Sequence, residues 1–525
     1  MQFIELFAGC GGLSLGLKSV GFNLTMANEL SPMAAESYAF NFLDENLNEF
    51  ADASKIPQKT LWLSSAYSIN HLAKRLRENP FQFPSCEAGY SDIKSSGSNL
   101  EGALVVGSII SLNNWLADHP RALNRIRTSF GRGTVDLVSG GPPCQSFSMA
   151  GLRQTDNDKN SLPWEFAKFV ESIQPKFVLL ENVTGILRPF KSINGSKFYA
   201  WFELAKAFSQ IGYVPLCLHI NAKYAGVPQN RPRFVLIGVR SDILQFLKTS
   251  FNNSETVLFS QPEKFYEIAR YGQDIPMTSL MYRDIVNPED RLLLATSFLK
   301  PLVSTSDFTS VKSAIDDLKS GTKKGSKYAS KLDKLFSGIV TNRTLENHAL
   351  RANNELVKRR FRLYQILETH SSDVKKAVLG VMKGEEIDIS REVWESLKEE
   401  IFFFANGEFG KFNSKSHFLK FLQLHSTKKQ TQRALNESLP APAALSIPDD
   451  ACHYDLNHLR TLTVREMARI QSFPDSFVFR SKVTTGGQMR RFEVPQYTQV
   501  GNAVPPLLGH ALGLSLADLI KRLSD

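Results

Sequence analysis

The sequence of 525 residues has few cysteines and no long apolar run, and both shortages exclude classes of protein. Its five cysteines are odd in number and none belongs to a Cys-x-x-Cys pair, so neither a disulfide framework nor a zinc module is predicted. Scattered thiols favour a reducing, cytoplasmic compartment. No stretch reaches about 18 consecutive apolar residues, so we expect no transmembrane helix. No basic residues precede the apolar residues at the N-terminus, so we expect no signal peptide. We therefore expect no membrane partner and no bound metal.

The composition is that of a globular protein with an excess of basic residues. Hydrophobic residues make up 42% and charged residues 22%, which excludes a wholly disordered or collagen-like chain. The 62 Lys and Arg outnumber the 52 Asp and Glu, and residues 321–362 alone hold eleven basic against three acidic side chains. Such a run can be a solvated surface, but its clustering favours contact with the phosphates of a polyanion. The candidates are Lys323, Lys324 and Lys327.

Strand and helix patterns alternate along the first half of the chain. Continuous apolar runs predict six strands, at 3–7, 24–28, 103–106, 135–139, 177–180 and 234–239. Leu13, Leu17 and Val20 follow a helical period that stops at Gly21, and this period predicts the first helix. The alternation is typical of an α/β fold with a parallel, doubly wound sheet.

Other segments depart from this alternation. Residues 44–100 interrupt it, and we interpret them as a surface elaboration. After residue 240 the pattern becomes mixed, which predicts a second domain to about residue 438. A Pro-rich linker at 439–443 and an apolar helix within 500–520 complete the chain.

A glycine turn between the first strand and the first helix predicts a ligand site. Gly9, Gly11 and Gly12 let the backbone turn tightly and pass close to a ligand, although Ser14 breaks the Gly-x-Gly-x-x-Gly spacing. Glu29 lies 20 residues beyond Gly9, at the end of the second strand, where a carboxylate can accept hydrogen bonds from ribose hydroxyls. Singly these features fit a structural turn and an exposed acid. Together they favour a nucleoside cofactor.

Reactive side chains follow several predicted strands. Cys144 ends a Gly-Gly-Pro-Pro turn, Glu181 follows the strand at 177–180, and Arg231 and Arg233 alternate into the last strand. Because the carboxyl ends of parallel strands meet at one edge of a sheet, these groups are expected to lie together. A core cysteine, a helix-capping acid or surface arginines would explain each residue singly. Their combination instead predicts a thiol nucleophile with a carboxylate and an arginine beside it.

Seven short motifs occur along the chain. They are Phe-Ala-Gly-Cys-Gly-Gly at 7–12, Asn-Glu-Leu at 28–30, Pro-Pro-Cys-Gln-Ser-Phe-Ser at 142–148, Glu-Asn-Val at 181–183, Gln-Asn-Arg-Pro-Arg at 229–233, Leu-Thr-Val-Arg-Glu at 462–466 with Phe-Pro at 473–474, and Gln-Val-Gly-Asn-Ala-Val-Pro-Pro at 499–506. In identity and order they resemble the motifs of DNA (cytosine-5) methyltransferases of the bacterial restriction–modification type, over about residues 1–240 and 440–525.

This resemblance implies a fold and a cofactor. Residues 1–240 would form a Rossmann-like S-adenosylmethionine-dependent methyltransferase sheet. Residues 241–476 would form a second, smaller target-recognition domain that includes the late motif, and residues 477–525 would return to the catalytic domain. The cofactor would be S-adenosyl-L-methionine. Its expected contacts are Phe7, Gly9, Gly11, Gly12, Leu13, Glu29, Leu30, Ile109, Pro143, Leu162 and Asn502.

The resemblance also implies catalytic roles. Cys144 would add to carbon 6 of cytosine, which makes carbon 5 nucleophilic toward the methyl donor. Glu181 would bond the amino group and ring nitrogen 3, while Arg231 or Arg233 would hold the ring oxygen and orient the carboxylate. The target cytosine lies inside a duplex, so it would be flipped into this site.

The implied partner is double-stranded DNA. The loop after the catalytic cysteine would close over the flipped base and contact DNA through Gln145, Ser148 and Arg153. The enzyme would act as a monomer, with a restriction endonuclease as a genetic rather than a physical partner. Base-reading residues of the middle region cannot be chosen from its many Arg, Lys, Asn and Gln side chains.

Two departures from the family pattern leave points open. The family commonly has an Asp that contacts the adenine where this chain has Ser108, and residues 41–102 form a longer stretch than expected. Two alternatives are a non-catalytic DNA-binding relative and an RNA methyltransferase on the same catalytic domain. Intact Cys144, Glu181 and Arg231 argue against the first alternative, and the long basic middle region argues against the second.

Overall fold

The structure is a computed structural model of the chain. It describes residues 1–143, 161–191, 197–272, 275–303, 307–319, 325–340, 344–426, 432–443 and 445–523. Six predicted site residues lie outside these ranges, namely Cys144, Gln145, Ser148, Arg153, Lys323 and Lys324.

A mixed sheet of nine strands lies at the centre of the described part of the chain. Its strands are β1 (Gln2–Leu6), β2 (Asn23–Glu29), β3 (Thr60–Trp62), β4 (Ala103–Val106), β5 (Leu137–Gly140), β6 (Phe177–Val183), β7 (Tyr213–Asn221), β8 (Pro232–Arg240) and β9 (Arg283–Asp284). They lie in the order β9-β7-β8-β6-β5-β1-β2-β4-β3. All neighbours run parallel except β8, which is antiparallel to both β6 and β7.

The α/β fold predicted from the sequence is confirmed, and the six predicted strands are all present, one with the predicted bounds of 103–106 and five with shifted ends. The prediction of a wholly parallel sheet is wrong for β8. The connection from β7 to β8 spans only residues 222–231, which is too short for the crossover that a parallel neighbour requires. Three strands of this sheet, β3, β7 and β9, were not predicted.

The described ranges contain twenty α-helices, some of which cover both faces of the sheet. They are α1 (Gly12–Lys18), α2 (Pro32–Phe42), α3 (Leu47–Asp52), α4 (Leu72–Arg75), α5 (Ile109–Asp118), α6 (Pro120–Arg127), α7 (Leu162–Ile173), α8 (Ala200–Gln210), α9 (Ser241–Leu247), α10 (Asn253–Ala269), α11 (Pro288–Ala295), α12 (Val311–Ile315), α13 (Lys327–Leu335), α14 (Glu355–Glu368), α15 (Ser372–Lys383), α16 (Arg391–Leu397), α17 (Lys415–Leu424), α18 (Val464–Ile470), α19 (Gln496–Asn502) and α20 (Pro506–Lys521). Because strand side chains alternate, Phe177 and Leu179 of β6 pack in the core with α1, α10 and α20. Val178 and Leu180 pack on the opposite face with α5 to α8.

Residues 44–100 were interpreted as a surface elaboration, and this interpretation is wrong for their middle part. They supply β3, which extends the sheet beside β4, and Trp62 at its end is 1% exposed. Arg75 is fully buried, forms an ion pair with Asp92 at 2.7 Å and stacks over the Trp62 ring at 5.3 Å. The edge strand β3 has only three residues, which is too short for a pattern that predicts a strand, so sequence analysis does not find it.

The middle of the chain divides between two hydrophobic cores. Apolar side chains of α9 to α13 contribute to the core on the α1 face of the sheet. Residues 361–422, with Ala434 and Cys452, form a separate cluster built on α14 to α17. The domain division at residue 240 stays a prediction, and the packing favours a smaller independent unit.

The C-terminal helix α20 packs along α1. A Cβ at Gly16 would overlap the backbone of Gly509, so the two helices approach closely. Within the described ranges, no single helix is long and apolar enough to cross a membrane, and one bent pair, Gly487–Asn502 with Pro506–Lys521, passes that test by length and composition alone.

Candidate active site

The ends of four parallel strands line up across the sheet. Leu6 of β1 pairs with Asn28 of β2 and with Gly140 of β5, and Gly140 pairs with Leu180 of β6. The register continues from β2 to β4. Residues that follow these positions therefore leave the sheet at one edge, where α/β sheets bind their ligands.

The glycine loop, residues 7–12, leaves β1 at this edge. Gly9 and Gly11 have φ angles of 55° and 96°, a left-handed conformation that glycine adopts without strain. No described atom lies within 4 Å of the position that a Cβ at Gly9 would take, so the space over Gly9 is open. A Cβ at Gly12 would overlap the carbonyl oxygen of Val504. The absence of a side chain at Gly12 therefore makes room for the C-terminal segment.

Glu29 reaches the glycine loop from the end of β2. Its carboxylate accepts hydrogen bonds from the backbone N–H groups of Gly9 and Ser31, both at 2.8 Å. Burial raises the pKa of Glu29, and the backbone hydrogen bonds oppose this rise. A carboxylate has about four acceptor positions, so these two bonds leave capacity for ribose hydroxyls.

A buried polar network lies beneath the glycine loop. Glu5 of β1 is 2% exposed, and Ser14 of α1 hydrogen-bonds to its carboxylate and, at 2.9 Å, to the hydroxyl of Tyr38 on α2. Burial raises the pKa of Glu5 to about 8, although the Ser14 hydrogen bond acts against it. Ser14, which breaks the glycine spacing, thus joins the three elements that carry the loop. Sequence reasoning missed this network, although an acid inside an apolar strand is a visible signal.

The remaining predicted cofactor contacts differ in exposure. Leu30 and Leu162 are half-buried, and Pro143 and Asn502 are exposed. Leu162 begins α7 and so lies at the carboxyl edge of the sheet, where the connection from β5 to β6 starts. Leu13 and Ile109, each 2% exposed, belong to the packed interior.

Ser108 stands where the family commonly has an Asp. Its hydroxyl accepts a hydrogen bond from the Ile110 N–H at 3.2 Å and so caps α5. The preceding Gly107 has no room for a side chain, because a Cβ there would lie 2.9 Å from Leu63. Leu63 follows the edge strand β3, so the insertion formed by residues 44–100 shapes this end of the site.

Glu181 and Arg233 form an ion pair at the centre of the edge. Arg233 Nε lies 2.6 Å from Glu181 Oε1, and the residues are 8% and 9% exposed respectively. The neighbouring strands β6 and β8 position the two side chains. A Cβ at Gly141 would lie 3.1 Å from Glu181 Oε2, so the glycine after β5 lets the backbone pass the carboxylate. The arginine thereby fixes the direction of the carboxylate.

Arg231, the second predicted arginine, points elsewhere. It is 3% exposed, and among the described residues no carboxylate pairs with it. Burial, with the charge of Arg233 beside it, lowers the pKa of Arg231. Its guanidinium donates hydrogen bonds to three backbone carbonyls, those of Gly501 at 2.7 Å, Ala503 at 3.1 Å and Ala443 at 3.4 Å.

Asn182 ties β6 to the turn that precedes the predicted nucleophile. It is 3% exposed, and its Nδ2 donates a hydrogen bond to the Pro142 carbonyl at 3.0 Å. Its Oδ1 accepts a hydrogen bond from the Val183 N–H at 2.8 Å. Pro142 stands two positions before Cys144, which itself lies beyond the described part of the chain. Sequence reasoning quoted Asn182 within a motif but gave it no role.

The motif at residues 462–466 is buried and its side chains bind neighbouring parts of the chain. Thr463 and Glu466 form a capping box at the start of α18, and Glu466 also accepts two hydrogen bonds from Arg460, at 2.7 and 2.6 Å. Arg465 is fully buried, and burial lowers its pKa to about 10. It donates to three backbone carbonyls, those of Glu346, Pro474 and Phe477.

Lys327 is the one candidate phosphate contact within the described ranges. It begins α13 and is exposed. Lys331 on the same helix adds to the effect of burial in lowering the pKa of His510 on α20. His510 in turn hydrogen-bonds to Ser19, at the end of α1, at 2.7 Å. Helix α13 therefore lies beside the body of the sheet, and DNA contact by Lys327 stays a prediction.

Comparisons with known proteins show what this chain is similar to. The model of the family of C-5 cytosine-specific DNA methylases matches residues 1–63 and 117–518, and so leaves out most of the insertion. The type II methyltransferase M.DdeI of Desulfomicrobium norvegicum is 26% identical over 515 residues, which cover 98% of this chain and 87% of that protein. M.AgeI of Thalassovita gelatinovora is 26% identical over 542 residues, which cover 98% of each protein. A solved structure described as a prophage-encoded DNA modification methyltransferase (E. coli) matches 99% of each chain, with 17% identity and a TM-score of 0.44.

Proposed function

Because this chain belongs to the C-5 cytosine-specific DNA methylase family, we propose that it transfers a methyl group from S-adenosyl-L-methionine to carbon 5 of a cytosine flipped out of double-stranded DNA. The observation that carries this proposal is the buried Glu181–Arg233 pair. It lies at the same sheet edge as the glycine loop and beside the turn that leads into Cys144.

The residues around the glycine loop fit an adenosine-type cofactor. When bound, S-adenosyl-L-methionine supplies an electrophilic methyl group on a sulfonium. Glu29 would accept hydrogen bonds from the ribose hydroxyls, and the open space over Gly9 would admit the ligand. The exposed Asn502 would contact it from the C-terminal segment. The other proposed contacts are Phe7, Gly11, Gly12, Leu13, Leu30, Ile109, Pro143 and Leu162.

Three side chains would act on the cytosine. The Cys144 thiolate would form a bond to carbon 6, and the electrons of the 5,6 double bond would make carbon 5 nucleophilic. Glu181 would accept a hydrogen bond from the amino group and share a proton with ring nitrogen 3, which favours the addition. Arg233 would hold the carboxylate and the ring oxygen. After methylation, loss of the carbon 5 proton to water would restore the double bond and release the thiolate.

The remaining residues would bind DNA. Gln145, Ser148 and Arg153 would contact DNA from the loop after the nucleophile. Residues 241–476 would read the target sequence, and Lys323, Lys324 and Lys327 would contact phosphates. We propose that the enzyme acts as a monomer.

The biological role would be protection of DNA from a partner restriction endonuclease. Support comes from the names of the relatives, which are type II methyltransferases. Bisulfite sequencing of DNA from cells that express the protein would reveal both activity and target. Fully unmodified DNA would contradict the role.

Covalent trapping tests the mechanism. DNA with fluorine at carbon 5 of the target cytosine cannot lose the proton that releases Cys144, so protein and DNA should stay joined on a denaturing gel. The adduct should require S-adenosyl-L-methionine and should vanish in Cys144→Ser, since an alcohol is far less ionised than a thiol near neutral pH. The matched control is Cys86→Ser, because Cys86 is half-buried whereas Cys10, Cys217 and Cys452 are buried. An adduct that persists in Cys144→Ser would refute the proposed nucleophile.

A further inference from the structure

The segment at 229–233 has polar side chains at alternate positions, namely Gln229, Arg231 and Arg233. Alternation along an extended backbone predicts that all three lie on one side. Arg233 ends at the carboxylate of Glu181. The other two side chains reach different parts of the protein, so the motif does more than hold the carboxylate.

Gln229 holds the Pro-rich linker that leads out of the middle region. It is fully buried, and its Nε2 donates a hydrogen bond to the Pro442 carbonyl at 2.9 Å. The backbones run side by side, with the Asn230 N–H bonded to the Ala441 carbonyl at 2.8 Å and the Ala441 N–H bonded to the Pro228 carbonyl at 2.9 Å. The linker is therefore fixed to the segment that carries Arg231.

Arg231 joins this linker to the C-terminal segment. Helix α19 ends at Asn502, and the last carbonyls of a helix lack partners within the helix. Arg231 satisfies the carbonyls of Gly501 and Ala503, and it also donates to Ala443 in the linker. A cation is favoured at this helix end by the helix dipole. The one side chain thus bridges two segments that are far apart in the sequence.

The contacts continue to the glycine loop. A Cβ at Gly501 would lie 2.5 Å from the Leu445 carbonyl oxygen, so the C-terminal segment also packs directly on the chain after the linker. On its other side, the Val504 carbonyl lies against Gly12. A continuous chain of packed backbone therefore runs from the linker, past Arg231 and Asn502, to the loop that faces the cofactor site.

We propose that Arg231 is a positioning residue that couples cofactor binding to DNA binding. It does so by holding the linker and the C-terminal segment in a fixed position relative to each other. This inference rests on the proposed function. It separates two arginines that sequence reasoning treated as equivalent: Arg233 acts on the carboxylate, and Arg231 acts on the two segments. Coupling between two sites is reciprocal, so each ligand should change the affinity for the other by the same factor.

The test measures affinities and their coupling in Arg231→Lys. A lysine keeps the charge but offers one compact nitrogen, which cannot bridge three carbonyls as a planar guanidinium does. We expect S-adenosylhomocysteine, used as a non-reactive probe in calorimetry, to bind about tenfold more weakly. In the wild type, this probe should raise DNA affinity about fivefold or more, and the variant should lose most of that factor. Adduct formation with the fluorinated DNA at saturating methyl donor should persist.

Arg233→Lys is the matched control and should show the opposite pattern. It should keep the affinity for S-adenosylhomocysteine and lose adduct formation. Wild-type protein that binds both ligands without coupling, or an Arg231→Lys variant that keeps the full coupling factor, would overturn the inference. If Arg231→Lys does not fold, Gln229→Leu replaces it. Loss of the hydrogen bond to the Pro442 carbonyl should loosen the linker and so weaken the coupling. Full coupling in Gln229→Leu would also overturn the inference. Failure of the wild type to form any adduct would count against the proposed function alone, because the binding measurements do not depend on turnover.

Discussion

Replacement of Glu5 by glutamine tests the buried network beneath the glycine loop. Burial raises the pKa of this carboxyl from 4.5 to about 8, and its neighbours are the hydroxyls of Ser14 and Tyr38 rather than a cation. Between these two pH values the folded protein keeps the proton, whereas the unfolded chain releases it. Folding therefore takes up a proton in this window.

The sign and size of the effect follow from linkage. The unfolded state binds fewer protons, so the free energy of unfolding falls as pH rises. The penalty is absent below the unfolded pKa of 4.5, grows through the window and is complete above the folded pKa of about 8. The slope reaches about 1.4 kcal/mol per pH unit, so the step from pH 5 to pH 7 should remove roughly 2–3 kcal/mol of stability. Glutamine does not titrate and should show no such penalty.

Urea unfolding of the wild type and Glu5→Gln at pH 5, 6, 7 and 8 measures the difference directly. Other titrating groups are common to both proteins and cancel, so the variant should gain on the wild type as pH rises. Glu466→Gln is a control of opposite sign. Burial alone would raise the pKa of Glu466, but the Arg460 hydrogen bonds outweigh it and lower that pKa from its ordinary 4.5. The wild-type advantage there should therefore stay constant from pH 5 to pH 8 and shrink only as pH falls below 4.5. A constant gap between the wild type and Glu5→Gln from pH 5 to pH 8 would refute the reasoning.

Two further predictions concern ligands. Glu29→Ala should weaken S-adenosyl-L-methionine binding in calorimetry by roughly 1.5–3 kcal/mol, or about tenfold or more, because two ribose hydrogen bonds to a carboxylate are lost. Glu29→Gln keeps one acceptor oxygen and should lose less affinity. Unchanged affinity in both variants would contradict the ribose contact. Lys327→Gln should weaken DNA binding on all sequences and flatten its salt dependence by about one unit, measured by titration at several salt concentrations. Lys521→Gln removes an exposed lysine at the end of α20 as the control, and equal behaviour of the two variants would make Lys327 a solvated surface charge.

Much of the sheet could be predicted because its strands are continuous apolar runs. Strands β1, β2, β4, β5 and β6 are buried on both faces. Such strands need apolar side chains at nearly every position, which gives the continuous runs seen in the sequence. The same patterns cannot specify direction, which for β8 depends on the length of the connection from β7. Short strands such as β3 carry too few residues for a pattern and are defined by their neighbours in the sheet.

The candidate site could be predicted in part for a related reason. Glu29 ends β2, Glu181 lies near the end of β6 and Gly9 lies in the loop after β1, so a correct strand prediction brings them to one edge. The difference between Arg231 and Arg233 could not be predicted, because alternation places both on the same side of the backbone. Only the tertiary structure decides that one faces a carboxylate and the other faces helix-end carbonyls. The Gly501 carbonyl that accepts from Arg231 lies 270 residues further along the chain. Residue types and spacing cannot identify such a distant acceptor.

The glycine loop illustrates how one motif answers two physical demands. Above the loop, Gly9 leaves open space for a ligand, and below it Gly12 leaves room for the Val504 carbonyl. Either demand alone would select glycine, so the motif by itself cannot tell ligand contact from packing. Ser14 then replaces a further glycine at a position where the structure calls for a hydroxyl to bind Glu5. A departure from the glycine spacing at this point is therefore compatible with an intact cofactor site, because the space over Gly9 remains open.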